Sequence, residues 1–131
     1  MTRAVDPKKA SNYLTKAESS LHMAKIAVEQ KAYDNAVMSA IHSAINALDA
    51  LTAYQLNKRS SGSHIDVLLL TKEIFTTREQ NDVEKQFKTL ISLKNASEYQ
   101  PEMMSPKEAE NSIKAAERIL AEVKAKFHHQ V

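Results

Sequence analysis

The chain of 131 residues has no cysteine, one glycine and three prolines. The lack of cysteine excludes disulfides, thiolate zinc sites and cysteine nucleophiles. Because few residues favour a positive φ or break a helix, we expect long uninterrupted helices, whereas sheets would need more turn residues. Aromatic residues make up only 5% of the chain, so the core must be built from Ala, Leu, Ile, Val and Met.

The chain also lacks long apolar runs. The N-terminal sequence MTRAVDPKKA has no apolar segment of the kind found in secretion signals, and the longest strongly apolar stretch, IDVLLL, is far too short to span a bilayer. We therefore expect a cytoplasmic protein that does not enter a membrane. The net charge of +2 permits contact with nucleic acid without requiring it.

Apolar residues recur at helical spacing in four long segments separated by short polar breaks. The second segment is apolar over about half of its circumference, so it should be the central helix. The first expected helix begins at Asp6-Pro7, and the second runs from about Tyr33 to Gln55. The third begins near Ser63 or His64, the fourth runs from about Glu79 to Asn95, and the last begins at Ser105-Pro106. These segments predict an all-α fold, an up-down four-helix bundle with one additional short helix. We expect a single domain over residues 1–131, with its core at about 7–127.

Several segments, taken in order, resemble the HEPN family, the nucleotide-binding domain of higher eukaryotes and prokaryotes. The segments are the alanine-rich YDNAVMSAIHSAINALDALTAY at 33–54, the polar loop and helix start HIDVLL at 64–69, KNASEY at 94–99, and the capped helix start SPKEAE at 105–110. The resemblance covers roughly residues 8–127 and implies a helical bundle that is commonly a homodimer. Some family members are ribonucleases, often toxins paired with a nucleotidyltransferase antitoxin. Others bind nucleotides or act as accessory modules.

Ribonuclease members of that family use an Arg-x(4–6)-His motif, and Arg59 and His64 meet its minimum spacing. The resemblance therefore implies that His64 would exchange a proton with a ribose hydroxyl or leaving oxygen, while Arg59 would stabilise the phosphorane charge without a metal. Such a pair would form a composite site across the dimer. Two features depart from the family pattern: Ser60 and Asp66 stand where a strongly polar residue and a tyrosine are usual, and the pair lies earlier in the chain.

The same stretch, NKRSSGSH, is also explained as a simple loop. Lys58 and Arg59 would favour the C-terminal end of the second helix, Gly62 would reverse the chain, and Ser63 would cap the third helix. In a sequence of this composition, the expected number of chance Arg–His pairs with the motif spacing is roughly 0.5. Both interpretations stay open from the sequence.

Two further sets of polar residues are candidate binding groups. His42, Asn46 and Asp49 share one face of the second helix, where they could contact a nucleotide or metal or could form a solvated or dimer-contact face. Lys94 interrupts an apolar stripe, so it should either pair with Glu98 or contact a phosphate beside Tyr99. We expect no metal and no other cofactor.

The function that this sequence favours is a nucleotide- or RNA-interacting accessory module, with Lys58 as a further binding cation. The alternatives are a metal-independent endoribonuclease that uses Arg59 and His64, and a structural partner of a nucleotidyltransferase. We expect a homodimer in each case.

Overall fold

Four long helices account for most of the chain in the computed structural model, which describes residues 2–127 apart from the side chain of Tyr99. The long helices are α1 (Ala10–Glu29), α2 (Tyr33–Leu56), α4 (Thr77–Tyr99) and α5 (Pro106–Ala125), and α3 (Val67–Thr71) is short. Short 3-10 helices at Pro7–Lys9 and His64–Asp66 precede α1 and α3. The prediction of an all-α bundle with one additional short helix is confirmed.

Helix α2 is the centre of the bundle because it packs against α1, α4 and α5. Its large apolar side chains Val37, Ile41, Leu48 and Leu51 are completely buried. Burial of a side chain of this size contributes about 1.5–3 kcal/mol to folding. The predicted central position of this helix is therefore confirmed.

Small residues allow α1 and α2 to approach closely. Ala17 on α1 and Ala40 and Ala44 on α2 are fully buried, and the hydroxyl of Ser43 donates a 2.7 Å hydrogen bond to the carbonyl of Ala17. This bond satisfies a buried hydroxyl whose isolation would cost roughly 1–3 kcal/mol. The close pair provides the wall against which the N-terminal segment and the loop after α2 pack.

Capping boxes fix the starts of α4 and α5. Ser105 and Glu108 exchange the two hydrogen bonds of such a box, as the sequence predicts. Thr76 and Glu79 make a second box, so α4 begins two residues earlier than predicted. It also continues to Tyr99 rather than ending near Asn95.

A two-stranded antiparallel ribbon joins the N-terminus to the loop after α2. Strand β1 (Thr2–Ala4) pairs with strand β2 (Lys58–Ser60), and Arg3 lies opposite Arg59. Lys58 and Arg59 directly follow the C-cap of α2 and lie in β2, so they are not part of the last turn of the helix.

The chain turns away from α2 at Asn57, which caps the helix in the left-handed conformation with a φ of 58°. Gly62 was expected to reverse the chain, but it has no positive φ. Asparagine tolerates this conformation because its short polar side chain can bond to the local backbone.

Between residues 2 and 127, no helix has both the length and the apolar character needed to cross a bilayer.

Candidate functional site

A small cavity lies where the loop after α2 folds back over the bundle. Its volume is about 160 Å³. Its wall is formed by α2, β2, the start of α3 and one side chain of α4; the lining residues are Ile45, Asp49, Arg59, Ser60, Ser61, Gly62, Ser63, His64, Val67 and Phe87. Arg59 and His64, which the sequence singles out by their spacing, therefore line the same cavity.

Asp49 lies at the base of this cavity, with only 8% of its surface exposed. An Nη1 atom of Arg59 lies 3.6 Å from its Oδ2 atom. Burial raises the pKa of Asp49 to about 6, and the charge of Arg59 opposes that rise. The alternative of a solvated face for His42, Asn46 and Asp49 does not hold for Asp49, because its side chain is buried beside Arg59 of β2.

Arg59 has a second neighbour on α1. Its guanidinium carbon lies 5.9 Å from the centre of the Tyr13 ring, within the range of a cation–π contact. The distance to Asp49 exceeds that of a hydrogen bond. A guanidinium has five N–H donors in a planar fork, so Arg59 is held in place while donors stay available for a ligand in the cavity.

His64 opens the short 3-10 helix before α3 and is exposed at the mouth of the cavity. Its pKa is lowered, first by partial burial and then by the positive charges of Lys94 and His42. The imidazole is therefore neutral at pH 7 and can accept a proton.

Lys94 is half-buried and forms an ion pair with Glu98, with 2.8 Å between Nζ and Oε1. The local ion pair considered from the sequence is therefore present. Lys94 still influences His64, so the two interpretations of this lysine do not exclude each other. The side chain of Tyr99 lies outside the described residues.

The other candidate binding residues, His42, Asn46 and Lys58, do not line the cavity. His42 is exposed, and the side-chain amide of Asn46 donates to the carbonyl of His42, so it is used within the helix. Lys58 lies on β2 opposite Ala4 and makes no ion pair with any described carboxylate. Arg59, His64 and Asp49 share the cavity, whereas Asn46 and Lys58 do not line it.

Sequence reasoning overlooked the hydroxyl of Ser60. Its Oγ atom is buried and is the one such side-chain atom without a hydrogen-bond partner among the described residues. A buried hydroxyl without a partner costs roughly 1–3 kcal/mol. No pattern in the sequence distinguishes Ser60 from Ser61 or Ser63, because its burial depends on the pairing with β1.

In the part of the chain that the structure describes, no group of three or more His, Asp or Glu side chains is arranged to hold a metal ion. The residues around the cavity supply mainly hydrogen-bond donors: a guanidinium, serine hydroxyls and an imidazole. Such donors suit an anion with several oxygen acceptors.

Comparisons with known proteins agree with the fold. The family model of the HEPN domain matches residues 10–126. Among solved structures, the chain is similar to TT1696 from Thermus thermophilus, with a TM-score of 0.78 and 23% sequence identity over 90% of this chain and 98% of that chain. No curated protein sequence matches significantly. The structural likeness shows the fold alone, while the family match covers nearly the whole chain.

Proposed function

This chain belongs to the HEPN family, and on that premise we propose that it is a nucleotide- or RNA-interacting accessory module that binds a phosphate group in the cavity. One observation carries the proposal: Arg59, His64 and three serines line the same small space. Arginine and hydroxyl donors are the groups that bind phosphate oxygens in proteins.

The size of the cavity supports a phosphate in preference to a whole nucleoside. Pockets that enclose small organic ligands usually have volumes of roughly 300–1,000 Å³, whereas this cavity has about 160 Å³. A phosphate can enter while the ribose and base stay outside. That mode of contact suits the backbone of RNA, where phosphates are the exposed groups and carry most of the affinity.

The charges around the cavity favour an anion, with one exception. His42 and Lys94 lie close enough to influence His64, and Lys58 follows on β2. Asp49 opposes an anion, but it is buried beside Arg59 and its pKa is about 6, so its negative charge decreases below that pH. We expect the cavity to bind phosphate more tightly as Asp49 becomes protonated.

Titration of a fluorescently labelled single-stranded RNA tests the proposal. The test variant combines Arg59→Ala with Asp49→Asn, so that no buried carboxylate is left unpaired. The matched control combines Arg118→Ala with Asp82→Asn, another Arg–Asp pair, at 3.9 Å between α4 and α5. We expect the test variant to bind about tenfold more weakly at low salt, and we expect its salt slope to fall by roughly 0.7, the value for one phosphate contact on a single strand.

The control variant should bind like the wild type. Equal weakening in both double variants would mean that the affinity reflects general surface charge. Absence of binding by the wild type at low salt would contradict the proposal outright.

Metal-independent RNA cleavage is a second candidate, favoured by the placement of Arg59 and His64 in one cavity. A neutral His64 could accept the proton of a ribose 2′-hydroxyl, and Arg59 could stabilise the charge that develops on phosphorus. Incubation of RNA in EDTA with the wild type and with His64→Ala separates this candidate from binding alone. Cleavage that His64→Ala abolishes favours the enzyme, whereas intact RNA at high protein concentration excludes it.

The family also leads us to propose a homodimer, in which a catalytic site would be composite, and a nucleotidyltransferase as a partner. Exposed apolar side chains such as Met23, Leu69 and Met103, with 51%, 64% and 78% of their surfaces accessible, offer contact area for either association.

A further inference from the structure

The ribbon formed by β1 and β2 brings a second arginine to the candidate site. The register places Arg3 of β1 directly opposite Arg59 of β2. A hydrogen bond of 2.9 Å from the amide of Val5 to the carbonyl of Asn57 continues the pairing beyond the strands. Directly opposite residues of an antiparallel pair project to the same face, with Cβ atoms roughly 4.5–5.5 Å apart.

The two arginines differ in how their charges are balanced. Arg59 has Asp49 and the ring of Tyr13 beside it. Arg3 is exposed and makes no ion pair with any carboxylate in the described part of the chain. Like charges placed directly opposite each other destabilise a strand pair. Because this arrangement opposes folding, a bound anion is the natural counterpart of Arg3.

We propose that Arg3 contacts a second phosphate of the RNA backbone, next to the phosphate that enters the cavity at Arg59. The inference rests on the proposed function and narrows its ligand to a chain with at least two phosphates in sequence. The small cavity accommodates one phosphate, and the neighbouring one would lie over the face of the ribbon that carries Arg3. Strand β1 is then part of the binding surface and extends it from the bundle to the N-terminal segment.

The ribbon itself does not depend on the side chain of Arg3. Strand pairing uses backbone hydrogen bonds, which Arg3→Ala retains. The substitution also removes a repulsion with Arg59, so the melting temperature should stay the same or rise. A loss of RNA affinity without a loss of stability therefore separates a binding arginine from a structural one.

The test measures RNA affinity as a function of salt for the wild type, Arg3→Ala and Arg3→Lys, with Lys8→Ala as the control. Lys8 is exposed in the nearby 3-10 helix, so the control removes the same charge from the same end of the molecule. We expect Arg3→Ala to weaken binding about fivefold at low salt and to reduce the salt slope by roughly 0.7 for a single strand.

Arg3→Lys should retain most of the slope, and Lys8→Ala should leave it unchanged. A single-stranded DNA of the same sequence should show the same loss in Arg3→Ala, because a phosphate contact does not depend on the 2′-hydroxyl.

Two outcomes overturn the inference. If the wild type binds RNA and Arg3→Ala behaves like Lys8→Ala, Arg3 has no contact and the proposed function stands. If the affinity falls together with the melting temperature while the salt slope is unchanged, Arg3 is structural. Failure of the wild type to bind at all would remove the proposed function and this inference together, a result distinct from both.

Discussion

The carboxylate of Asp49 is buried in the bundle, where the guanidinium of Arg59 is the cation that offsets its charge. Burial disfavours the charged form more strongly than Arg59 favours it, so the pKa rises from 3.8 to about 6. A carboxylate of this kind makes the phosphate affinity of the proposed site depend on pH. Its protonation removes the negative charge that competes with the phosphate for Arg59. The buried carboxylate also reduces the stability of the folded chain at neutral pH.

We predict that Asp49→Asn becomes progressively more stable than the wild type as the pH rises from 4 to 7. Between pH 3.8 and about 6, Asp49 of the folded protein holds a proton that the unfolded chain has lost. The stabilisation that Asp49 gives the folded wild type is therefore fully present below pH 3.8 and is lost as the pH rises through about 6. The difference between the two unfolding free energies should change by about 2–3 kcal/mol over that range. Urea denaturation of both proteins at pH 4 and pH 7 measures it, and a difference independent of pH would contradict the raised pKa.

At the scale of single residues, the sequence identifies polar partners better than it identifies burial. Arg59 and His64, which the sequence pairs by their spacing, both line one cavity, and Lys94 has the acidic partner Glu98 that its apolar position requires. Asp49 could not be placed correctly, because helical periodicity describes one helix and its burial comes from β2, a tertiary neighbour.

At the scale of elements, the one glycine in the chain lies beside the capped start of the 3-10 helix His64–Asp66. Ser63 caps this start by accepting from the amide of Ile65, and Asp66 accepts from the amide of Ser63 at 3.2 Å. A Cβ atom on Gly62 would lie 2.6 Å from Oδ2 of Asp66. Any larger residue at position 62 would therefore displace the capping carboxylate of Asp66, whereas the backbone conformation of Gly62 itself does not call for glycine.

We predict that Gly62→Ala destabilises the protein by about 1 kcal/mol, the usual cost of losing a cap, because the added methyl group displaces the carboxylate of Asp66. In an Asp66→Ala background the same substitution should cost little, since the carboxylate is already absent. Urea denaturation of the four proteins completes a double-mutant cycle. Additive effects would show that the contact between these two residues has no role in the cap.

The long helices were predictable because each repeats the helical period several times, whereas the short strands were not predictable. The Ser105–Glu108 capping box and the stripes of the four long helices are visible in the sequence because each repeats or follows a known spacing. Strands of three residues have no measurable period, and β1 and β2 pair only because α2 returns the chain to its N-terminus. The ribbon, and with it the position of Arg3, therefore appears only in the folded chain.

At the scale of the whole molecule, an alanine-rich central helix surrounded by three amphipathic helices defines the fold. Very few glycines and prolines, and apolar stripes broken at short polar segments, were enough to predict the bundle. The resemblance of several segments, such as residues 33–54 and 105–110, to the HEPN family is confirmed by the family match. The function could not be derived from the composition and the apolar stripes. Proteins with this family fold have several activities, and the site depends on a few side chains. Association with a second copy or with a nucleotidyltransferase stays a prediction.

The central claim is that phosphate groups of RNA bind where β2, α2 and the start of α3 meet. An NMR titration of the ¹⁵N-labelled protein with a short single-stranded RNA at low salt tests this location directly. We expect the largest amide shift changes at Asp49 and over Arg59–His64, with smaller changes at Arg3 and Lys94. Shift changes concentrated between α4 and α5, around Lys114 and Arg118, or no changes at all, would contradict the account.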